Sequence, residues 1–131
     1  MHINLESDYA VRIVRVMAQK GSRVDAQTLS DTACVSLRIT LKIMRKLVAS
    51  GLACSFKGAH GGYTLSRQPQ EITLRHVIEA IEGPYRFSRC LDAEYECSCK
   101  DAIACPFHSV FDDVTATVIR KLDEITFDRL I

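Results

Sequence analysis

The fold is decided by the stretch Ala53-Cys54-Ser55-Phe56-Lys57-Gly58-Ala59-His60-Gly61-Gly62-Tyr63-Thr64-Leu65-Ser66. Residues 53–57 read as a strand and residues 63–66 as a second strand returning on it. Gly58, Gly61 and Gly62 between them permit the backbone conformations of a tight reversal. A nucleotide-phosphate loop is a poor alternative. The turn lacks Gly-Lys-Ser/Thr, and no strand–helix–strand unit surrounds it.

Upstream of this hairpin lies an amphipathic segment. Ser36 is placed to cap a helix that runs to Ser50 and stops at Gly51. Ile39, Ile43, Met44 and Leu47 recur on one face, with Arg38, Lys42, Arg45 and Lys46 on or near the other. Asp25 precedes a shorter helix through about Ala33, with Leu29 inward and Cys34-Val35 making the turn. A first helix is predicted between a Ser7 cap and a Gly21 stop, with Tyr9, Ala10, Ile13, Val16 and Met17 at helical spacing. Two such helices alone fit an αα-hairpin with a solvated basic face equally well. A β-hairpin directly behind the second helix makes a winged helix-turn-helix the better reading. The second helix would then enter a DNA major groove, with Ser36, Arg38 and Lys42 as candidates for base edges or phosphates. In the wing, Lys57, His60 and Arg67 are candidates for phosphates or the minor groove, His60 also reading as a plain turn residue.

Downstream, Pro69 ends the wing, and Thr73 caps a helix carrying Leu74, Val77, Ile78 and Ile81 that Gly83-Pro84 terminates. Pro106 suits the first turn of another helix. From there Phe107, Val110, Phe111, Val114, Val118, Leu122 and Ile125 step by three or four, giving about 20 residues and roughly 30 Å of helix. So long a helix has more apolar edge than a small domain covers. A second copy is the natural partner, and two-fold symmetry suits a reader of two half-sites; the other reading folds the helix onto its own core. The expected fold is mainly α: a winged helix-turn-helix with a small β-hairpin wing and a long C-terminal dimerisation helix. The expected divisions are a DNA-binding domain over 1–83, a cysteine-rich sensor loop over 84–105 and a dimerisation helix over 106–131.

Composition agrees. The 131 residues are 47% hydrophobic and 25% charged, ordinary for one globular domain. The net charge of +1 hides an asymmetry: residues 1–67 hold ten Lys/Arg against four Asp/Glu, residues 68–131 seven against twelve. A basic first half suits a nucleic-acid partner. No apolar run reaches membrane-spanning length, and the opening residues lack the apolar stretch of a secretory signal, so a cytoplasmic protein is expected.

Six cysteines are the second anomaly, and Cys90, Cys97, Cys99 and Cys105 fall within 16 residues. A reducing compartment argues against structural disulfides and for a metal or redox site. Soft thiolates select iron–sulfur clusters, zinc or copper(I) over hard cations. His108 follows closely, and Pro106 places Cys105 at the positive end of a helix. Arg89 and Lys100 add positive charge nearby, opposed by Asp92, Glu94, Glu96 and Asp101. An iron–sulfur cluster, a zinc site and direct oxidation at Cys97-Ser98-Cys99 all stay open. Cys34 and Cys54 read as small buried hydrophobes, and His76 as a satisfied helix residue. No nucleophile elbow or oxyanion loop is present, so an enzyme is not expected. A cluster or zinc accessory protein that never touches DNA is the rival class, and the basic half and the wing argue against it.

Asp8-Tyr9-Ala10-Val11-Arg12, the wing from Lys57 to Arg67, and Ile72-Thr73-Leu74-Arg75-His76-Val77-Ile78-Glu79-Ala80-Ile81-Glu82-Gly83 resemble the Rrf2 family of bacterial winged-helix transcription regulators across nearly the whole chain. Lys57 stands where family wings often carry Arg, and Leu41 where recognition helices often carry Glu. The resemblance implies a homodimer held by the C-terminal helix; such a dimer is expected to bind double-stranded operator DNA and to act as a repressor. It also implies an iron–sulfur cluster, 2Fe–2S or 4Fe–4S, in the loop before that helix, whose redox or nitric-oxide state sets DNA affinity. Two ligand sets are implied. Cys99-x5-Cys105-x2-His108 matches the tail of IscR-like proteins, with Cys90 or Cys97 as the first ligand. NsrR-like proteins use three cysteines and an aspartate from the partner subunit, and Asp8 occupies the matching position.

Overall fold

A computed structural model of the chain describes residues 2–99 and 104–131. Helix α1 (Leu5–Lys20) begins three residues earlier than the sequence suggests. Asn4 is the cap, accepting the Ser7 N–H at 2.7 Å. Ser7 is instead wholly buried, and its hydroxyl donates to Glu82. Gly21 ends the helix in the left-handed region at φ 62°.

Helix α2 (Ala26–Ala33) is capped by Asp25, which accepts the Thr28 N–H. Cys34 follows at φ 55°, and Ser30 donates its hydroxyl to the Val35 carbonyl at 2.6 Å, which locks the turn into α3 (Leu37–Ala49). Ser36 caps α3, as its position suggests. Ile13, Leu29, Ile43, Met44 and Leu47 from the three helices meet with no exposed surface. Each such burial contributes about 1.5–3 kcal/mol.

Strands β1 (Ala53–Phe56) and β2 (Gly62–Leu65) pair antiparallel, Ala53 facing Leu65 and Phe56 facing Gly62. Val24, between α1 and α2, adds a bridge to Tyr63 on the open edge of β2. That approach requires Gly62, because a Cβ there would lie 2.6 Å from the Val24 carbonyl oxygen. Cys34 and Cys54 are both exposed, contrary to the expectation of burial. Cys34 sits on the outward left-handed turn, and Cys54 lies in a strand of the wing where only Ala53 is buried, with Cys54, Ser55 and Phe56 all exposed.

Helix α4 (Leu74–Glu82) starts with a reciprocal cap in which His76 N–H donates to Thr73 Oγ1 and Thr73 N–H to His76 Nδ1. Helix α5 (Pro106–Asp123) runs back beside α4. It ends two residues short of Ile125, and the chain returns to the domain core. The Leu74 N–H donates to the Ile125 carbonyl, Thr126 bridges Thr73, and Phe127 is wholly buried. The last residues of the expected 106–131 helix are therefore core tail. Phe127 finds a closed apolar site there that helical continuation would deny it. Among the described residues no helix is long and apolar enough to cross a membrane.

Candidate nucleic-acid interface and cysteine loop

The exposed side of α3 carries Leu37, Arg38, Lys42 and Arg45, with Ser36 at its start. Lys42 is tethered: its Nζ lies 3.2 Å from one Glu6 oxygen, while Lys46 lies 2.9 Å from the other. These partners, Lys46 foremost, hold the Glu6 carboxyl below the usual glutamate range. Arg38 and Arg45 are exposed beside them.

The wing stands next to α3, joined through Ser50, Gly51 and Leu52. Lys57 and His60 lie in its turn and Arg67 at its base, all exposed. The turn is braced by a residue the sequence did not flag. The Arg23 guanidinium sits 3.7 Å from the centre of the Phe56 ring and donates to the His60 carbonyl at 2.8 Å. Arg23 precedes Val24 in the α1–α2 connection, so one short segment supplies both the bridge to β2 and the cation over β1. No local motif announces such a pairing, because its partners lie more than 30 residues away in sequence.

The cysteines occupy the passage from α4 to α5. Tyr85 donates its N–H to Glu79, and Phe87 donates its own to Thr115 Oγ1 at 3.0 Å. The Phe87 ring packs 5.3 Å from that of Phe111, so the first part of the loop is fastened to α5. Cys90 follows in a single 3₁₀ turn (Arg89–Leu91), its thiol 3.3 Å from Ser88 Oγ. Cys97 and Cys99 are exposed neighbours, the Cys99 N–H donating to Cys97 Sγ at 3.4 Å. Cys105 is the N-cap residue of α5, and His108 lies in that helix's first turn. Lys100 and Asp101, named above for their charge, lie outside the described residues. Asp8 pairs with Arg12 on its own helix at 2.6 Å. Among the described residues, no three His, Cys, Asp or Glu side chains come together as a metal-binding group. As a donor set, four thiols and an imidazole suit a soft metal or an iron–sulfur cluster.

The far end of α5 is joined to α4 by charge. Arg75 reaches Glu79 at 3.1 Å and Asp123 at 3.0 Å, and Asp123 in turn accepts from Thr73. These carboxylates, Asp123 foremost, raise the Arg75 guanidinium above its already high ordinary value. The opposite end of α5 leaves Phe107 67% and Val110 57% exposed. A hollow lined by Ile3, Ile78, Tyr85, Val118 and Leu122 continues that apolar side.

The Rrf2 family, described as an iron-dependent transcriptional regulator, matches residues 3–131. The HTH-type transcriptional regulator IscR of Pectobacterium atrosepticum is 28% identical over 134 residues, covering 100% of this chain and 79% of that protein. Among solved structures, T. potens IscR superposes with a TM-score of 0.75 at 21% identity, covering 99% of this chain and 85% of that one. CymR, the global cysteine regulator of B. subtilis, gives 0.77 at 23% identity, covering 99% and 95%. The two structures share the fold.

Proposed function

Because the chain belongs to the Rrf2 family, and is thus a DNA-binding transcriptional regulator and not an enzyme, we propose that it acts as a homodimer whose operator affinity is set by the state of the cysteine loop. The observation that carries this reading is the loop's attachment at both ends. Tyr85 ties it to α4 through Glu79, and Cys105 opens α5. Whatever draws Cys97 and Cys99 toward Cys105 pulls on both helices at once.

In this reading Ser36, Arg38 and Lys42 face the major groove, and Lys57, His60 and Arg67 contact the backbone or minor groove. Phe107, Val110 and the hollow beside Val118 pack against the second copy, which sets the separation of the two recognition helices. Cys90, Cys97, Cys99 and Cys105 supply thiolates, with His108 or the partner subunit's Asp8 completing the set. A bound iron–sulfur cluster supplies a centre sensitive to oxidation and nitric oxide. A coupling of about 1–3 kcal/mol between loop state and DNA would change affinity about 5- to 150-fold.

The test is anaerobic purification with an absorption spectrum, iron and sulfide analysis, and DNA binding before and after chelation. Iron, sulfide and a change in affinity are expected. A second reading, oxidation of the thiols without metal, is favoured by the adjacency of the exposed Cys97 and Cys99. A colourless, iron-free sample whose affinity still follows thiol oxidation would select it.

A further inference from the structure

The residues of α3 also limit which bases it can read. From Ser36 to Ala49 the sequence is Ser-Leu-Arg-Ile-Thr-Leu-Lys-Ile-Met-Arg-Lys-Leu-Val-Ala, without one Asp, Glu, Asn or Gln. Its side-chain acceptors are two hydroxyls, and that of Thr40 is wholly buried. The outward side instead carries two parallel stripes. Leu37 and Leu41, one helical turn apart, form an apolar stripe in which Leu37 is 39% exposed and Leu41 half-buried. Arg38 and Lys42 form a cationic stripe beside it.

In the major groove, adenine is matched by the paired donor and acceptor of Asn or Gln, and the cytosine amino group by a carboxylate. This helix offers neither. Guanine presents two acceptors, which suit Arg and Lys, and thymine presents an acceptor with a methyl group, which suits an apolar side chain. A single exposed leucine is ordinary. Two in register, beside cations and on a face lacking those acceptors, match thymine and guanine edges.

We infer that Leu37 and Leu41 are specificity-determining residues that pack on thymine C5-methyl groups, with Arg38 reading guanine. A·T pairs are then read from the thymine side and G·C pairs from the guanine side. The inference rests on α3 being the recognition helix, as proposed above.

The experiment selects duplexes from a random-sequence pool with the full-length protein. Each thymine in the selected duplex is then replaced by deoxyuridine, which removes only the methyl. Each guanine and adenine is separately replaced by its 7-deaza analogue. The expected loss is about fourfold in Kd at each contacted thymine, the effect of unburying one carbon, and about tenfold at the guanine read by Arg38. The 7-deazaadenine duplexes should bind normally. In the Leu37→Ala and Leu41→Ala proteins the deoxyuridine penalty should vanish at the corresponding thymine. Alanine at these outward positions keeps the helix intact. Deoxyuridine that is neutral throughout, a penalty that persists in both alanine variants, or dependence on adenine N7 overturns the inference while Arg38→Ala still weakens binding. Failure to select any sequence, or full affinity in Arg38→Ala, Leu37→Ala and Leu41→Ala alike, removes the recognition helix itself.

Discussion

The N–H of Phe127, four positions from the last residue, donates to the carbonyl of Ile72 at 3.0 Å, and both side chains are wholly buried. The tail thus closes the core of the domain that bears α3 and the wing. Phe127→Ala should lower stability by about 3 kcal/mol, the cost of emptying an aromatic site. Urea denaturation should show an earlier midpoint with an unchanged slope. An unmoved midpoint would mean that the tail is not part of the core.

Arg23 braces the wing from outside it. Arg23→Ala should leave the helical circular dichroism and urea midpoint nearly unchanged, since a cation over an exposed ring is worth only about 0.5–1 kcal/mol. Operator affinity should nonetheless drop by about three- to fivefold, because the turn carrying Lys57 and His60 loses its support. Unaltered affinity in a titration would show that the wing holds its position without Arg23.

Salt dependence should separate the proposed roles of Lys57 in the wing and Arg38 on α3. Lys57→Ala should weaken binding evenly across sequences and flatten the slope of log K against log salt by about one. Arg38→Ala should instead cost about 1–3 kcal/mol at one base pair and relax the preference there. Identical sequence profiles for the two variants would contradict that division of roles.

Glu6 makes the fold acid-sensitive. Its carboxyl titrates below the ordinary 4.5 because Lys46, then Lys42, stabilise the charged form. A lowered folded-state value gives stability that is complete above about pH 4.5 and disappears as pH falls through the lower value. Glu6→Gln should therefore be less stable than the parent near neutrality, with the gap closing in acid. Thermal midpoints across this range test it, and a gap that does not depend on pH would rule out the ion pair as its source.

On the proposed cluster-bearing dimer, Cys105→Ala should abolish iron uptake and visible absorption while the helical signal and the oligomeric state are unchanged. Cys105 caps α5 without any side-chain hydrogen bond, so its loss disturbs little structure. A normal cluster spectrum from this variant would remove Cys105 from the ligand set.

Much of the architecture was legible before any coordinates. Asp25, Ser36 and Thr73 announce helix starts, and Gly21 and Gly83 announce stops, because caps are local chemistry between residues three or four apart. The wing was legible for the same reason: its glycines answer to a reversal within ten residues. Other features were not. The start of α1 was misplaced because Asn4 and Ser7 are both capping residues, and only the contact of Ser7 with Glu82, 75 positions away, decides which one lies inside. The roles of Arg23, Glu6 and Phe127 have no local signal either, because their partners all lie more than 30 positions away.

By itself, then, the sequence determined the order of helices, the hairpin, the basic half and the store of thiols ahead of the last helix. These follow from periodicity, capping and composition, which act over a few residues. Only the tertiary structure decided that α5 stops at Asp123 so that Phe127 can fill the core, that Glu6 holds Lys42, and that Arg23 steadies the wing. Each depends on free energy gained when distant segments leave water together, and no local pattern encodes that encounter.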